Sequence, residues 1–103
     1  MDKTADAKQI AINFVKTCVN YGIPLSEAYM FGSWAKGTAT ANSDIDLAIV
    51  ASSFGRNIIE NSRQTALINY EFSDVEVHHF SPNDFNSDDP FINEIKRTGL
   101  KIL

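Results

Sequence analysis

Two aspartates separated by one residue, Asp44 and Asp46, open the stretch Asp44-Ile45-Asp46-Leu47-Ala48-Ile49-Val50. On a strand, residues two apart project from the same face, and a rise of about 3.3 Å per residue sets their Cβ atoms roughly 6.5–7 Å apart. Carboxylates so placed repel each other unless a cation sits between them. Mg²⁺ takes hard oxygen ligands and draws only a few from protein, and a pair of acids can share one or two such ions, ideally about 3.5–4 Å apart. A full two-metal site calls for a third carboxylate. Glu76 is the best candidate, on a separate strand and in phase with an acidic face, and Asp74 shares that phase nearer the strand end. Glu76 can hold a metal that activates an acceptor hydroxyl or take its proton directly.

Gly32-Ser33-Trp34-Ala35-Lys36-Gly37 lies upstream. A glycine at a strand end lets the backbone approach a ligand closely. A helical turn starting at Ser33 would aim free N–H groups at an anion, with the Ser33 hydroxyl as a further donor. Lys36 is within reach of a phosphate in that arrangement, although a solvated lysine is an equally fair reading. Gly37 lets the chain leave the turn. A phosphate cradle beside a metal site is the arrangement that nucleotidyl transfer requires.

The elements that must position these groups follow from periodicity. Residues 5–20 carry Ile10, Ala11, Phe14, Val15, Cys18 and Val19 at spacings of three and four, which predicts a helix closed by Gly22 and Pro24. Residues 27–32 and 44–50 read as strands, the second exposing one face early and buried on both faces later. Residues 56–70 read as a helix with Ile58, Ile59, Ala66, Leu67 and Tyr70 facing inward. Residues 74–80 alternate as a third strand, with Val75, Val77 and His79 on one face and Asp74, Glu76, His78 and Phe80 on the other. Ser81-Pro82-Asn83-Asp84 is turn chemistry able to open a helical turn. Asp89 as N-cap and Pro90 at the first position start a last helix, Gly99 ends it as the C′ residue, and residues 100–103 offer an edge strand. The expected architecture is α/β (α+β): a small mixed sheet with helices packed mainly on one face. An open face carrying acids would serve as the floor of a site.

With 103 residues, one domain spanning 1–103 is expected. The formal net charge of −4 argues against a broad grip on nucleic acid, although a bound cation can still recruit a single nucleotide. An acidic surface also suits a basic partner. No apolar run reaches the roughly 18 residues of a membrane span, and Met1-Asp2-Lys3-Thr4 opens no signal-peptide pattern. The lone Cys18, set in an apolar stripe, reads as a core residue and excludes an intrachain disulfide. A cytoplasmic location is the simplest expectation. His78, on the acidic face, can touch the site, whereas His79 reads as packed or solvated. Ser43 reads as capping the turn into the strand. Phe80, Phe85 and Phe91 read as core, with an exposed subset able to form a partner surface.

Gly32-Ser33, ten residues, then Asp44-x-Asp46 resembles the signature of the polymerase-beta-like nucleotidyltransferase superfamily, and most of all its small MNT group, the minimal nucleotidyltransferases. Val75-Glu76-Val77-His78-His79-Phe80-Ser81-Pro82 resembles the strand carrying that family's third carboxylate, and Phe91 to Gly99 its last helix. The likeness spans about residues 25–103, while the first helix matches only in kind. It implies that Asp44, Asp46 and Glu76 bind two Mg²⁺ ions and that Gly32 and Ser33, aided by Lys36, hold a nucleoside triphosphate. Trp34 departs from the pattern, since members often carry Arg or Tyr there.

The resemblance also implies a partner. Many MNT proteins pair with a helical HEPN-domain toxin, which they neutralise by binding it or by transferring AMP to it. The expected activity is therefore Mg²⁺-dependent transfer of AMP from ATP to an acceptor hydroxyl on a HEPN-type toxin. The short chain is expected to need that partner, or a second copy, to complete its cleft. A non-catalytic antitoxin acting by occlusion is the alternative, and antibiotic adenylylation is a more distant one.

Overall fold

The computed structural model describes residues 4–103. Residues 1–3, which hold most of the stretch read for a signal peptide, lie outside the described residues. Helix α1 (Thr4–Asn20) buries Ala7, Ala11, Phe14, Val15 and Cys18. Val19, expected in that stripe, is 51% exposed, because a step of about 100° from Cys18 carries it off the buried line. The helix ends in a Schellman arrangement: Gly22 N–H donates to the Val19 carbonyl and Ile23 N–H to the Cys18 carbonyl, with Gly22 at φ +86°.

Strand β1 (Leu25–Phe31) leads into the single turn α2 (Ser33–Lys36), then β2 (Ile45–Ala51), α3 (Ile58–Glu71) and β3 (Val75–Phe80). A second single turn, α4 (Pro82–Phe85), precedes α5 (Pro90–Thr98) and the short β4 (Leu100–Lys101). The strands form one sheet in the order β3-β2-β1-β4. β1 runs antiparallel to both β2 and β4, and β2 runs parallel to β3. The sheet is mixed, as expected, because the β2–α3–β3 crossover returns the chain in the same direction.

One face carries the main core, where Ala28, Met30, Ile45, Leu47, Ile49 and Val75 pack with Phe14 and Cys18 of α1 and Ile68 of α3. The opposite face is half covered: Phe31, Ala48 and Val50 meet Phe85 of α4 and Ile92 and Ile95 of α5. The remainder of that face, around Asp46 and Glu76, is not sealed.

Helix α3 corrects the sequence expectation. Ile58, Ile59, Ala66, Leu67 and Tyr70 all point outward, with Ile59 67% and Tyr70 88% exposed. The inward line is Asn61, Thr65 and Ile68. Two polar residues can face in because each finds partners. The Asn61 amide accepts from Gly55 N–H at 2.9 Å and donates to the Gly55 carbonyl at 2.8 Å, and the Thr65 hydroxyl bonds His79 Nε2 at 2.8 Å. A buried polar group so satisfied carries little penalty.

At α5, Asp89 caps as expected, its carboxylate accepting from the N–H groups of Phe91 and Ile92. Gly99 ends the helix, but not in a left-handed conformation, since its φ is −77°. It is glycine for want of space: a Cβ there would sit 2.5 Å from the Ile95 carbonyl oxygen and 3.1 Å from that of Met30.

Candidate functional site

The unsealed part of the sheet is built by β2 and β3. Their parallel register sets Asp46 opposite Glu76 and Ala48 opposite His78. Alternation then puts Asp46, Glu76 and His78 on one face, and their ligand atoms all lie within 4.8 Å of one another. His78 Nε2 is 3.9 Å from Asp46 Oδ1. The His78 ring meets Phe31 edge-on at a centroid distance of 5.0 Å and Phe91 at 6.0 Å. Phe91 was expected in the core. It stands one residue off the buried Ile92 and Ile95 line and is 48% exposed beside His78. Phe85 is fully buried, and Phe80 packs partly buried against it.

Burial raises the Asp46 carboxyl above the ordinary aspartate range, and the neighbouring Glu76 carboxyl raises it further. His78 opposes this when charged, and the charge of Asp44 adds to it. The arrangement is therefore one in which neutralisation, by a proton or a cation, is favoured.

Asp44 lies immediately before β2 rather than on it, and it is exposed. It is near enough to act on Asp46 but lies outside the group of three convergent ligands. With Asp74, Asp6 and Trp34 it lines a cleft of about 360 Å³ on the α1 side. The strand starts one residue late because Ile45 N–H bonds the Asp74 carbonyl at 2.8 Å, the first link between the β2 and β3 segments. Asp46 faces Glu76 in the sheet, and Asp44 stands one residue ahead of the strand at the rim, within electrostatic reach of Asp46.

Gly32 closes the site from β1. Its φ is +74°, and a Cβ there would lie 2.2 Å from Asp46 Oδ2. Backbone conformation and space both demand glycine, and its absent side chain is the room that the Asp46 carboxylate occupies. The turn expected after it is present. Lys36 N–H donates to the Gly32 carbonyl, and the N–H groups of Gly37 and Thr38 both reach the Ser33 carbonyl. In such a turn the N–H groups of Ser33, Trp34 and Ala35 have no acceptor within the helix. Lys36 is ion-paired with Glu94 of α5, Nζ to Oε1 at 3.6 Å, so contact with a phosphate requires exchanging that partner. Trp34 braces the loop into β2: its indole N–H donates to the Ser43 carbonyl at 3.0 Å, and the Ser43 hydroxyl accepts from Thr40 N–H.

His79 points to the other face. It bonds Thr65 and meets Phe54 edge-on at 4.9 Å, and burial, aided by His78, lowers its pKa to about 4. Cys18 is a core residue, its thiol pushed up to about 12 by burial.

The donor set fits a divalent cation: two carboxylates and an imidazole converge, and the missing Gly32 side chain admits the Asp46 carboxylate to that position. The family model of polymerase beta nucleotidyltransferases matches residues 13–103. The chain belongs to this nucleotidyltransferase family. A candidate nucleotidyltransferase from Sulfolobus solfataricus shares the fold with a TM-score of 0.71 at 19% identity, over 96% of this chain and 81% of that one. A chain of a toxin–antitoxin crystal structure with AMP-PNP gives 0.63 at 23% identity, over 89% and 72%. A chain of the complex between a tri-AMPylated Shewanella oneidensis HEPN toxin and an MNT antitoxin gives 0.59 at 18% identity, over 93% and 71%. No curated protein matches the sequence.

Proposed function

We propose that this protein transfers a nucleoside monophosphate, AMP from ATP, to a hydroxyl of a protein partner, and that the partner is a helical HEPN-type toxin. The observation that carries this reading is the register of β2 against β3, which sets Asp46 and Glu76 side by side next to the glycine turn at Gly32. Structures sharing the fold include toxin–antitoxin complexes, one with AMP-PNP and one with a tri-AMPylated toxin. Among the described residues no helix is long and apolar enough to cross a membrane.

Asp46 and Glu76, with Asp44 at the rim, would hold Mg²⁺, which would supply positive charge for the phosphates and lower the pKa of a bound hydroxyl. Gly32 and Ser33 position the phosphates through backbone N–H groups and the Ser33 hydroxyl. Lys36 joins them by leaving Glu94. The acceptor oxygen forms a bond to the α-phosphorus, the bond from that phosphorus to the bridging oxygen breaks, and pyrophosphate leaves. Glu76 is exposed and adjacent to Asp46, placed to take the acceptor proton.

A second reading, occlusion of the partner without chemistry, draws on the apolar residues that α3 leaves outside, Ile58, Ile59, Leu67 and Tyr70. Such an exposed line marks an interaction surface. The two readings separate in one assay. The protein is incubated with α-labelled ATP, Mg²⁺ and the product of the neighbouring gene, beside an Asp44→Asn/Asp46→Asn control. Label on the partner that disappears in the control supports transfer. A tight complex with no label in either sample overturns transfer in favour of occlusion.

A further inference from the structure

We propose that His78 is a direct ligand of the cation held by Asp46 and Glu76, and that this nitrogen makes the site prefer a first-row transition ion such as Mn²⁺ over Mg²⁺. This rests on the reading above that the carboxylates bind a divalent ion, and it adds a ligand which the Asp44, Asp46 and Glu76 set does not contain.

Position comes first. His78 follows Glu76 by two residues on β3 and so shares its face. Its cross-strand neighbour is Ala48, a fully buried residue with only a methyl group. That small side chain leaves the imidazole free to lie along β2 toward Asp46. The ring is held from the other sides by Phe31 at 5.0 Å and Phe91 at 6.0 Å, which also meet each other edge-on at 5.7 Å. An imidazole wedged by two aromatic rings loses little further freedom on binding.

Distance comes second. The gap of 3.9 Å from Nε2 to Asp46 Oδ1 is too long for a hydrogen bond. It suits two ligands of one ion, which at about 2.1 Å from a common centre lie roughly 3–4 Å apart. Asp44, exposed and ahead of the strand, stands outside the convergent group that His78 joins. Gly32 fixes the other side of Asp46, whose Oδ2 fills the place a Cβ would take and leaves Oδ1 turned toward His78.

Chemistry decides the class of ion. Mg²⁺ takes oxygen almost exclusively, whereas imidazole nitrogen favours the transition series. A site of two carboxylates and one imidazole therefore discriminates by its nitrogen.

The test is Mn²⁺ binding to the full chain, followed by electron paramagnetic resonance with Mg²⁺ in competition. It is repeated for His78→Gln, Asp46→Asn and Glu76→Gln. The wild-type protein should bind Mn²⁺ about tenfold or more tighter than Mg²⁺, and bound Mn²⁺ should show imidazole nitrogen hyperfine coupling. His78→Gln should lose that coupling and about tenfold in Mn²⁺ affinity, on the scale of losing a metal-site contact, with a smaller change for Mg²⁺. The nitrogen coupling in the wild type needs no variant to fold. Bound Mn²⁺ without nitrogen coupling in the wild type overturns the His78 ligand while leaving cation binding by the carboxylates intact. Unchanged Mn²⁺ binding in both Asp46→Asn and Glu76→Gln overturns the carboxylate site as well.

Discussion

Replacing Asp46 by Asn should stabilise the cation-free protein. Asp46 is held in the fold against its own charge: its side chain retains only 25% exposure, and the Glu76 carboxylate lies within 4.8 Å. At that separation two unit charges repel by about 0.9 kcal/mol in a water-like dielectric and by about 3.5 kcal/mol at an effective dielectric of 20. Glu76 is exposed, so the lower end governs, and a gain of about 1 kcal/mol is expected, or roughly 4–8 °C in Tm for a domain of this size. The sign follows from the raised pKa of Asp46. A native carboxyl that binds its proton more tightly than the unfolded chain adds stability at low pH, and this is lost as pH rises through the raised value. Wild type and variant should therefore be similar in acid and diverge toward neutral pH. The assay is urea and thermal unfolding in chelator-treated buffer across that range, then with excess Mg²⁺ or Mn²⁺. A cation at 100 times its Kd stabilises the wild type by about 2.7 kcal/mol and should do little for the variant. A variant less stable than wild type in chelator at neutral pH would show that repulsion between the acids does not dominate the site.

Gly32→Ala should cost about 1–3 kcal/mol, because the methyl group meets Asp46 Oδ2 at 2.2 Å on a backbone at φ +74°; unfolding midpoints and cation titration check this, and wild-type values for both would refute the close approach. His79 should make the protein acid-sensitive. Its pKa falls from 6.5 to about 4 in the fold, so its contribution is present above 6.5 and is lost as pH falls toward 4. The drop corresponds to about 3 kcal/mol for a wholly sheltered ring, reduced to on the order of 1–2 kcal/mol by partial exposure; a His79→Phe variant should show a shallower decline in stability between pH 7 and 5. Leu67→Gln and Tyr70→Gln should each change unfolding stability by no more than about 0.5 kcal/mol, since both side chains lie outside the core, while Ile68→Ala should cost about 2–5 kcal/mol.

The sequence by itself determined what is local. Spacings of three and four specify α1, alternation specifies β2 and β3, and Asp89-Pro90 starts α5, because helix period, strand period and capping chemistry act within a few residues. The turn after Gly32 was legible for the same reason, since a glycine at a strand end and the start of a helical turn are short-range features. The inward face of α3 was not. Its apolar residues suggested one face, and the fold chose the other because Asn61 bonds Gly55 in the loop that enters the helix and Thr65 bonds His79, which only the crossover brings near. The surroundings of Asp46 were likewise a tertiary matter. Alternation could put Glu76 and His78 on an acidic face, but only the parallel register of β2 on β3 sets them beside Asp46 and leaves Asp44 at the rim. Strand register depends on pairing between distant segments, and a shift of one residue would turn every one of these side chains to the other side of the sheet.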